Sequence, residues 1–170
     1  MNCDLLQIKG VFAVGNNLKI AIYGRSNLYL DVNPSIHVLW SKYRQVTIND
    51  TEACGVLIGG YLTEKKGFSI DSCTSPGPLD IRNRCSFIMR DKCHQKAMNI
   101  AYKNSKGTSY LLGTWHTHPE PFPKPSAQDL REWKKLMSQN KADLPSFLFV
   151  IVGTKQISFF PYDNNNFCKK

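Results

Sequence analysis

Residues 110–119 read Tyr110-Leu-Leu-Gly-Thr-Trp-His-Thr-His-Pro119. The run from Tyr110 to Trp115 predicts a strand that delivers the chain into two histidines separated by one residue. Side chains alternate along a strand, so His116 and His118 point to the same face and can converge on one ion. A proline-rich connection, Pro119-Glu-Pro-Phe-Pro-Lys-Pro125, then stiffens the approach to the next helix. That helix starts at Ser126 as N-cap, with Leu130, Trp133 and Met137 expected on its inner face. Asp129 falls in its first turn, where its carboxylate points back toward the end of the strand.

Two histidines and one carboxylate leave a fourth position on zinc open, which is the arrangement of a catalytic site. A structural zinc site fills all four positions, usually with cysteines, and no cysteine lies near these ligands in the sequence. Other roles compete for each residue. A His-x-His pair on a strand can decorate a surface. Serine at an N-cap with an acid three residues later closes any helix start, a role compatible with metal binding by Asp129. The tripeptide His118-Pro-Glu120 imitates the start of a zinc nucleoside deaminase, but the required P-C-x-x-C is absent.

Working outward, the pattern alternates strands and helices. A strand over 28–32 leads to Asn33-Pro34, an N-cap followed by proline at the first helical position. The helix expected there runs to about residue 44, with Ile36, Leu39, Trp40 and Tyr43 inward. Strands over 55–62 and 68–73 are joined by a turn at Lys65-Lys66-Gly67, and Thr74-Ser-Pro-Gly-Pro78 opens a surface loop. A strand over 86–89 and a helix over 91–102, with Cys93, Ala97, Ile100 and Ala101 in one stripe, precede the histidine strand. Two strands over 147–152 and 156–160, turning at Gly153, close the chain. The expected class is α/β, one mixed sandwich domain spanning residues 1–170.

Hydrolysis at such a site needs a base to take a proton from water. Glu52, in Glu52-Ala-Cys-Gly-Val-Leu-Ile-Gly59 at the entry to the apolar strand pair, is the best candidate, though it also reads as a solvated residue before a strand. Cys54, beside that strand, reads as an inert core thiol. His37 and His94 read as surface or packing histidines.

Together these residues resemble the JAMM (MPN+) metallopeptidase family. Its pattern is a glutamate before a strand, His-x-His-Pro, and Ser-x-x-Asp about seven residues on. Here it stands as Glu52 followed by Gly55, Leu57 and Gly59, then His116-Thr-His-Pro119 and Ser126-Ala-Gln-Asp129. The similarity covers about 28–161. It implies the JAMM/MPN fold, a cytidine-deaminase-like mixed β-sheet flanked by helices. It implies Zn²⁺ on His116, His118 and Asp129, Glu52 as acid/base, and Ser126 polarising the scissile carbonyl and steadying the oxyanion. The run 110–119 and Arg90-Asp-x-x-His-Gln95 look like bacterial members. More narrowly, they look like the JAMM peptidases beside CD-NTase nucleotidyltransferases and an E1/E2-like conjugating protein in CBASS anti-phage operons. That resemblance implies a deubiquitinase-like isopeptidase that removes a protein conjugate at a C-terminal amide. Three alternatives stay open: a non-catalytic MPN scaffold, a nucleic-acid-associated JAMM relative suggested by the +9 charge, and a peptidase processing a small ubiquitin-like or sulfur-carrier protein.

The bulk properties are consistent with this. A chain of 170 residues with 42% hydrophobic and 21% charged residues has an ordinary globular composition. The longest wholly apolar run, Phe147-Leu-Phe-Val-Ile-Val152, is far too short to span a bilayer. Met1-Asn-Cys-Asp-Leu-Leu-Gln7 lacks the basic and apolar regions of a secretory signal, and the six cysteines form no CxxC pair. Reduced thiols and a cytoplasmic location are expected. The net charge of +9 concentrates mildly over 82–106 without any basic run. It favours an acidic protein partner over nucleic acid or membrane.

Overall fold

The computed structural model describes residues 8–14, 18–23, 28–140 and 146–163. Ten strands and three helices occur there in the order β1 (Ile8–Val14), β2 (Leu18–Tyr23), β3 (Tyr29–Val32), α1 (Pro34–Lys42), β4 (Cys54–Leu62), β5 (Gly67–Cys73), β6 (Ile81–Arg82), β7 (Phe87–Ile88), α2 (Cys93–Asn104), β8 (Tyr110–Thr117), α3 (Ala127–Gln139), β9 (Ser146–Val152) and β10 (Gln156–Asp163). Eight strands form one sheet in the order β1-β2-β10-β9-β8-β4-β5-β3, while β6 and β7 make a separate ribbon. Pairing is mixed: β2 with β10, β8 with β9 and β3 with β5 are parallel, and the other neighbours antiparallel. The expected mixed α/β class is what is found.

Both faces of the sheet centre are buried, because β9 is apolar at every other position in both phases. Leu148, Val150 and Val152 turn toward Ile36 and Trp40 of α1, whereas Phe147, Phe149 and Ile151 turn toward Trp133 and Met137 of α3. Trp133 stacks on Phe149 with ring centroids 4.5 Å apart. A central strand covered on both sides reads as a continuous apolar run rather than an alternating one.

The placement of the histidines depends on an irregularity in β8. Leu57 pairs with Gly113 and Ile58 with Leu111, so Leu112 is an extra residue, a bulge that reverses the facing of the residues after it. Leu112 and Trp115 therefore both pack in the α1-side core despite their odd spacing. His116 then falls on the α3 side, opposite Ile151 of β9. Gly113 sits in the bulge at φ +154°, and a Cβ there would collide with the Leu148 carbonyl oxygen, which leaves room for glycine alone.

Several expected details are corrected. The first helix ends at Lys42, closed by the Tyr43 N–H donating to the Trp40 carbonyl at 3.2 Å. The second begins at Cys93 with Lys92 as N-cap, so Asp91 lies outside the helix, where its carboxylate accepts from the Cys93 N–H at 2.8 Å. Its inward face carries buried His94, and Ile100, expected in the apolar stripe, is 49% exposed. Leu130 of α3 is likewise turned outward, one step round from the buried line of Asp129, Trp133 and Met137. The Thr74–Pro78 loop continues into the β6–β7 ribbon, where the sequence predicts only a single strand over 86–89.

Candidate metal and catalytic site

Strand β8, the residue just past its end and helix α3 bring together three buried side chains that could hold a metal ion. His116 Nε2 and His118 Nε2 are 3.1 Å apart. Asp129 completes a triangle, with Oδ1 3.3 Å from His116 Nε2 and Oδ2 3.4 Å from His118 Nε2. Among the described residues this is the group of histidine, cysteine and carboxylate side chains close enough to share a metal ion. Tetrahedral zinc with ligands at about 2.0–2.1 Å sets them about 3.3–3.4 Å from one another; the three separations are close to that, with the two to Asp129 ending on different carboxylate oxygens. The chemistry fits as well as the spacing. Burial holds the His116 pKa below its ordinary value, which keeps the imidazole neutral and its lone pair available.

Burial opposes charge on Asp129 too, but hydrogen bonds with His116, His118 and Ser126 outweigh it. They hold the carboxyl far below its usual range. His118 is pulled both ways: burial disfavours its charged form, and Asp129, Glu52 and Glu120 overcome that and raise its pKa. Ser126 and Asp129 form a reciprocal cap, Asp129 N–H donating to Ser126 Oγ at 3.1 Å and Ser126 N–H to Asp129 Oδ2 at 2.6 Å. The capping reading of this pair is thus correct. It also serves the site, because the Ser126 backbone amide fixes the Asp129 carboxylate.

Glu52 lies across the cleft, with Oε1 3.9 Å from His118 Nε2. It is buried at 5% exposure, so the reading as a solvated residue fails. Burial, reinforced by the charges of Asp129 and Glu120 and opposed by His118, pushes its pKa up to about 7. Cys54 is fully buried and its thiol is pushed up to about 12, mainly by burial, so it offers no thiolate. Cys54, Cys73, Cys85 and Cys93 are free; Cys3 and Cys168 lie outside the described residues.

Sequence reasoning missed what encloses this cleft. The β6–β7 ribbon folds over it, with the Phe87 ring 5.3 Å from that of His116. Between Phe87, Ile88 and Met89 on one side and Gln128, Glu132, Trp133, Leu136 and Gln139 of α3 on the other, a groove of about 550 Å³ leads away from Asp129. The segment beneath the ribbon is pinned by a buried histidine. His94 Nε2 lies 2.8 Å from Asp80 Oδ2 and His94 Nδ1 lies 2.6 Å from Thr74 Oγ1. His94 is therefore a packing histidine, as expected. Asp80 also accepts from the backbone N–H groups of Gly77, Arg90 and Asp91. Burial works against its ionisation, and these bonds with His94 prevail, holding the carboxyl at about 2. A carboxylate with a lowered pKa stabilises the fold above its unfolded value, near 4, and loses that effect as pH falls through about 2. Asp80→Asn is expected to cost about 2 kcal/mol at pH 7 and clearly less near pH 2. Urea unfolding at both pH values checks this; equal losses would contradict it.

With this geometry in place, comparison with known proteins is informative. Residues 44–163 match the family described as prokaryotic homologs of the JAB domain. The chain belongs to that family. The JAB-domain match bears out the JAMM/MPN resemblance, and three relatives add to it. Each is named CD-NTase/cGAS isopeptidase. That of Vibrio cholerae is 41% identical over 67% of this chain and 69% of its own length. That of Escherichia coli is 35% identical over 69% and 71%, and that of Pseudomonas aeruginosa 36% over 66% and 69%. A protein of Desulfitobacterium hafniense solved in solution shares the fold, with a TM-score of 0.50 and 24% identity over 74% of this chain and 75% of that one. Among the described residues, no helix of this JAB domain is long and apolar enough to cross a membrane.

Proposed function

We propose that this chain is a zinc-dependent isopeptidase acting on a conjugated protein. It hydrolyses the amide that joins the C-terminal tail of a CD-NTase-type nucleotidyltransferase to its target, in the setting of bacterial anti-phage defence. The observation that carries the proposal is the buried triangle of His116, His118 and Asp129 with Glu52 Oε1 3.9 Å from His118. The names of the three relatives support the substrate class.

His116 and His118, through Nε2, and Asp129 would hold the ion. Zinc, when bound, supplies the Lewis acidity that polarises a carbonyl and makes water acidic. Glu52 takes the proton from the attacking water on its carboxylate and delivers it to the leaving amine nitrogen. A base near neutrality is suited to both transfers. The Ser126 hydroxyl donates to the carbonyl oxygen as negative charge grows on it. The ribbon and α3 exclude bulk water from one side of the cleft, and their groove receives the extended tail. There β7, paired on one side only, offers backbone groups to it.

The test is a purified conjugate of such a tail, incubated with the zinc-loaded enzyme. One clean cut at the tail's C-terminal residue is expected, and an untouched conjugate in the presence of zinc-bound wild type defeats the proposal. Leu136→Ala, which removes apolar surface from the groove away from the reacting atoms, is expected to raise KM about ten-fold with little change in kcat. An unchanged KM would send the tail elsewhere.

A further inference from the structure

Thr117 stands between the two histidines and points to the opposite face of the sheet, where it meets Gln45. Both side chains are buried polar groups, Thr117 at 0% and Gln45 at 2% exposure. Neither belongs to the candidate metal group or lines the groove, and a buried polar pair is a cost to folding unless its hydrogen bonds are made. Their hydrogen bonds say what they are for.

The Thr117 oxygen accepts from the Ala53 N–H at 2.9 Å and donates its proton to Gln45 Oε1 at 3.0 Å. The Thr117 N–H in turn donates to the Ala53 carbonyl at 3.0 Å. Ala53 follows Glu52 directly. Gln45 Nε2 donates to the carbonyls of Arg84 at 2.7 Å and Asp50 at 3.3 Å, so both hydrogens are used and the amide orientation is set by its partners. Glu52 itself is gripped through its backbone by the same ribbon. Its N–H donates to the Asn83 carbonyl at 2.8 Å, and its carbonyl accepts from Arg82 Nε at 2.6 Å. Three segments therefore meet at one amide: the histidine strand, the loop carrying Glu52, and the turn of the ribbon over the cleft. In the chain, Thr117 and Glu52 are 65 residues apart.

We infer that Gln45 and Thr117 are a buried positioning pair that sets where Glu52 stands relative to His116 and His118. This rests on the peptidase reading of Glu52. The pair matters because Glu52 sits on a loop before β4, outside the sheet ladder that holds the histidines. Regular pairing between β4 and β8 begins at Cys54 and His116. The Thr117–Gln45 link carries that register past the end of the ladder to the general base. A shift of about 1 Å in a catalytic group costs on the order of 10²-fold in rate.

The experiment compares Thr117→Val, which keeps shape and loses the hydroxyl, with Thr117→Ser, which keeps the hydroxyl, in the full chain. Zinc content, deuterium uptake of residues 49–56, and kcat and KM on the conjugate are read for each. Thr117→Val is expected to keep wild-type zinc and a KM within about two-fold. Its kcat should fall about 10- to 100-fold and uptake at 49–56 should rise; Thr117→Ser should restore both. Wild-type kcat in Thr117→Val overturns the inference. So does a kcat loss that travels with zinc loss, since the pair would then serve the histidines. If Thr117→Val does not fold, Gln45→Glu decides, because it keeps the acceptor for Thr117 and removes the donors to Arg84 and Asp50. Its kcat should fall in the same way, and an unchanged kcat overturns the pair. If wild type cuts no conjugate, the peptidase reading fails on its own. Uptake then judges the positioning, and unchanged uptake at 49–56 rejects it.

Discussion

Glu52→Gln should lower kcat by about 10²- to 10⁴-fold while zinc content stays at that of the wild type. The two parts belong together. Glutamine has nearly the shape of glutamate and can fill the same buried pocket, so the His116–His118–Asp129 triangle is undisturbed. What it lacks is a basic oxygen. Without it, no group in the cleft takes the proton from water and returns it to the leaving amine, since Glu120, the other acid near His118, is 3.7 Å from Nδ1 on the far side of that ring. The pH profile gives a second handle. Glu52 works as a base only when ionised, so activity falls as pH drops through its pKa. Burial places that value at about 7, and a dication at the neighbouring triangle favours the carboxylate and moves it lower. The acid limb of the loaded wild type should therefore lie below pH 7 with a slope of one proton. The residual rate of Glu52→Gln should lack that limb. A variant that keeps wild-type kcat and the same acid limb would show that another residue is the base.

The proposed ligand group, which the structure brings together, was legible in sequence because each member is announced locally. Period-two alternation makes His116 and His118 neighbours in space, and helix-start chemistry makes Asp129 point backward from Ser126. The facing of the histidines was not legible. It depends on the Leu112 bulge, an extra residue that shows only against the register of β4. Glu52 could be named as a candidate from its place before a strand, and the family pattern gave it the role of base; its burial was not legible, since the ribbon residues that hold its backbone, Arg82 and Asn83, come about 30 residues later in the chain. Gln45 and Thr117 were not legible at all, because their pairing crosses 72 residues of chain. Composition misled in one respect. The stripe of Cys93, Ala97, Ile100 and Ala101 looked like a core face, yet α2 turns His94 inward because Asp80 and Thr74 satisfy both ring nitrogens. A histidine with two partners can be buried more firmly than an isoleucine with an open face.

Zinc should raise the thermal midpoint of wild type and leave that of His118→Ala nearly unmoved. An ion that binds only the folded chain adds about 2.7 kcal/mol at a free concentration of 100 times Kd. For a chain of 170 residues that corresponds to about 5–11 °C. His118→Ala removes one corner of the triangle and leaves two protein ligands, so affinity should fall by more than the about 10- to 100-fold that accompanies loss of an outer hydrogen-bond partner. The sign of the pH effect is set by the ligands' surroundings. In the metal-free protein His118 has a raised pKa and Glu52 one of about 7, so protons compete with the ion as pH falls. Zinc displaces them, which makes binding weaker at lower pH and releases protons. Calorimetric titrations in two buffers of different ionisation enthalpy will show that release as a difference in apparent heat. Elemental analysis beside the melting curves should find about one zinc per chain in wild type and almost none in His118→Ala. A well-folded wild type that takes up no zinc and melts at the same temperature with and without it would remove the ion from the site. The triangle would then be a hydrogen-bonded core cluster, and the peptidase proposal would fall with it.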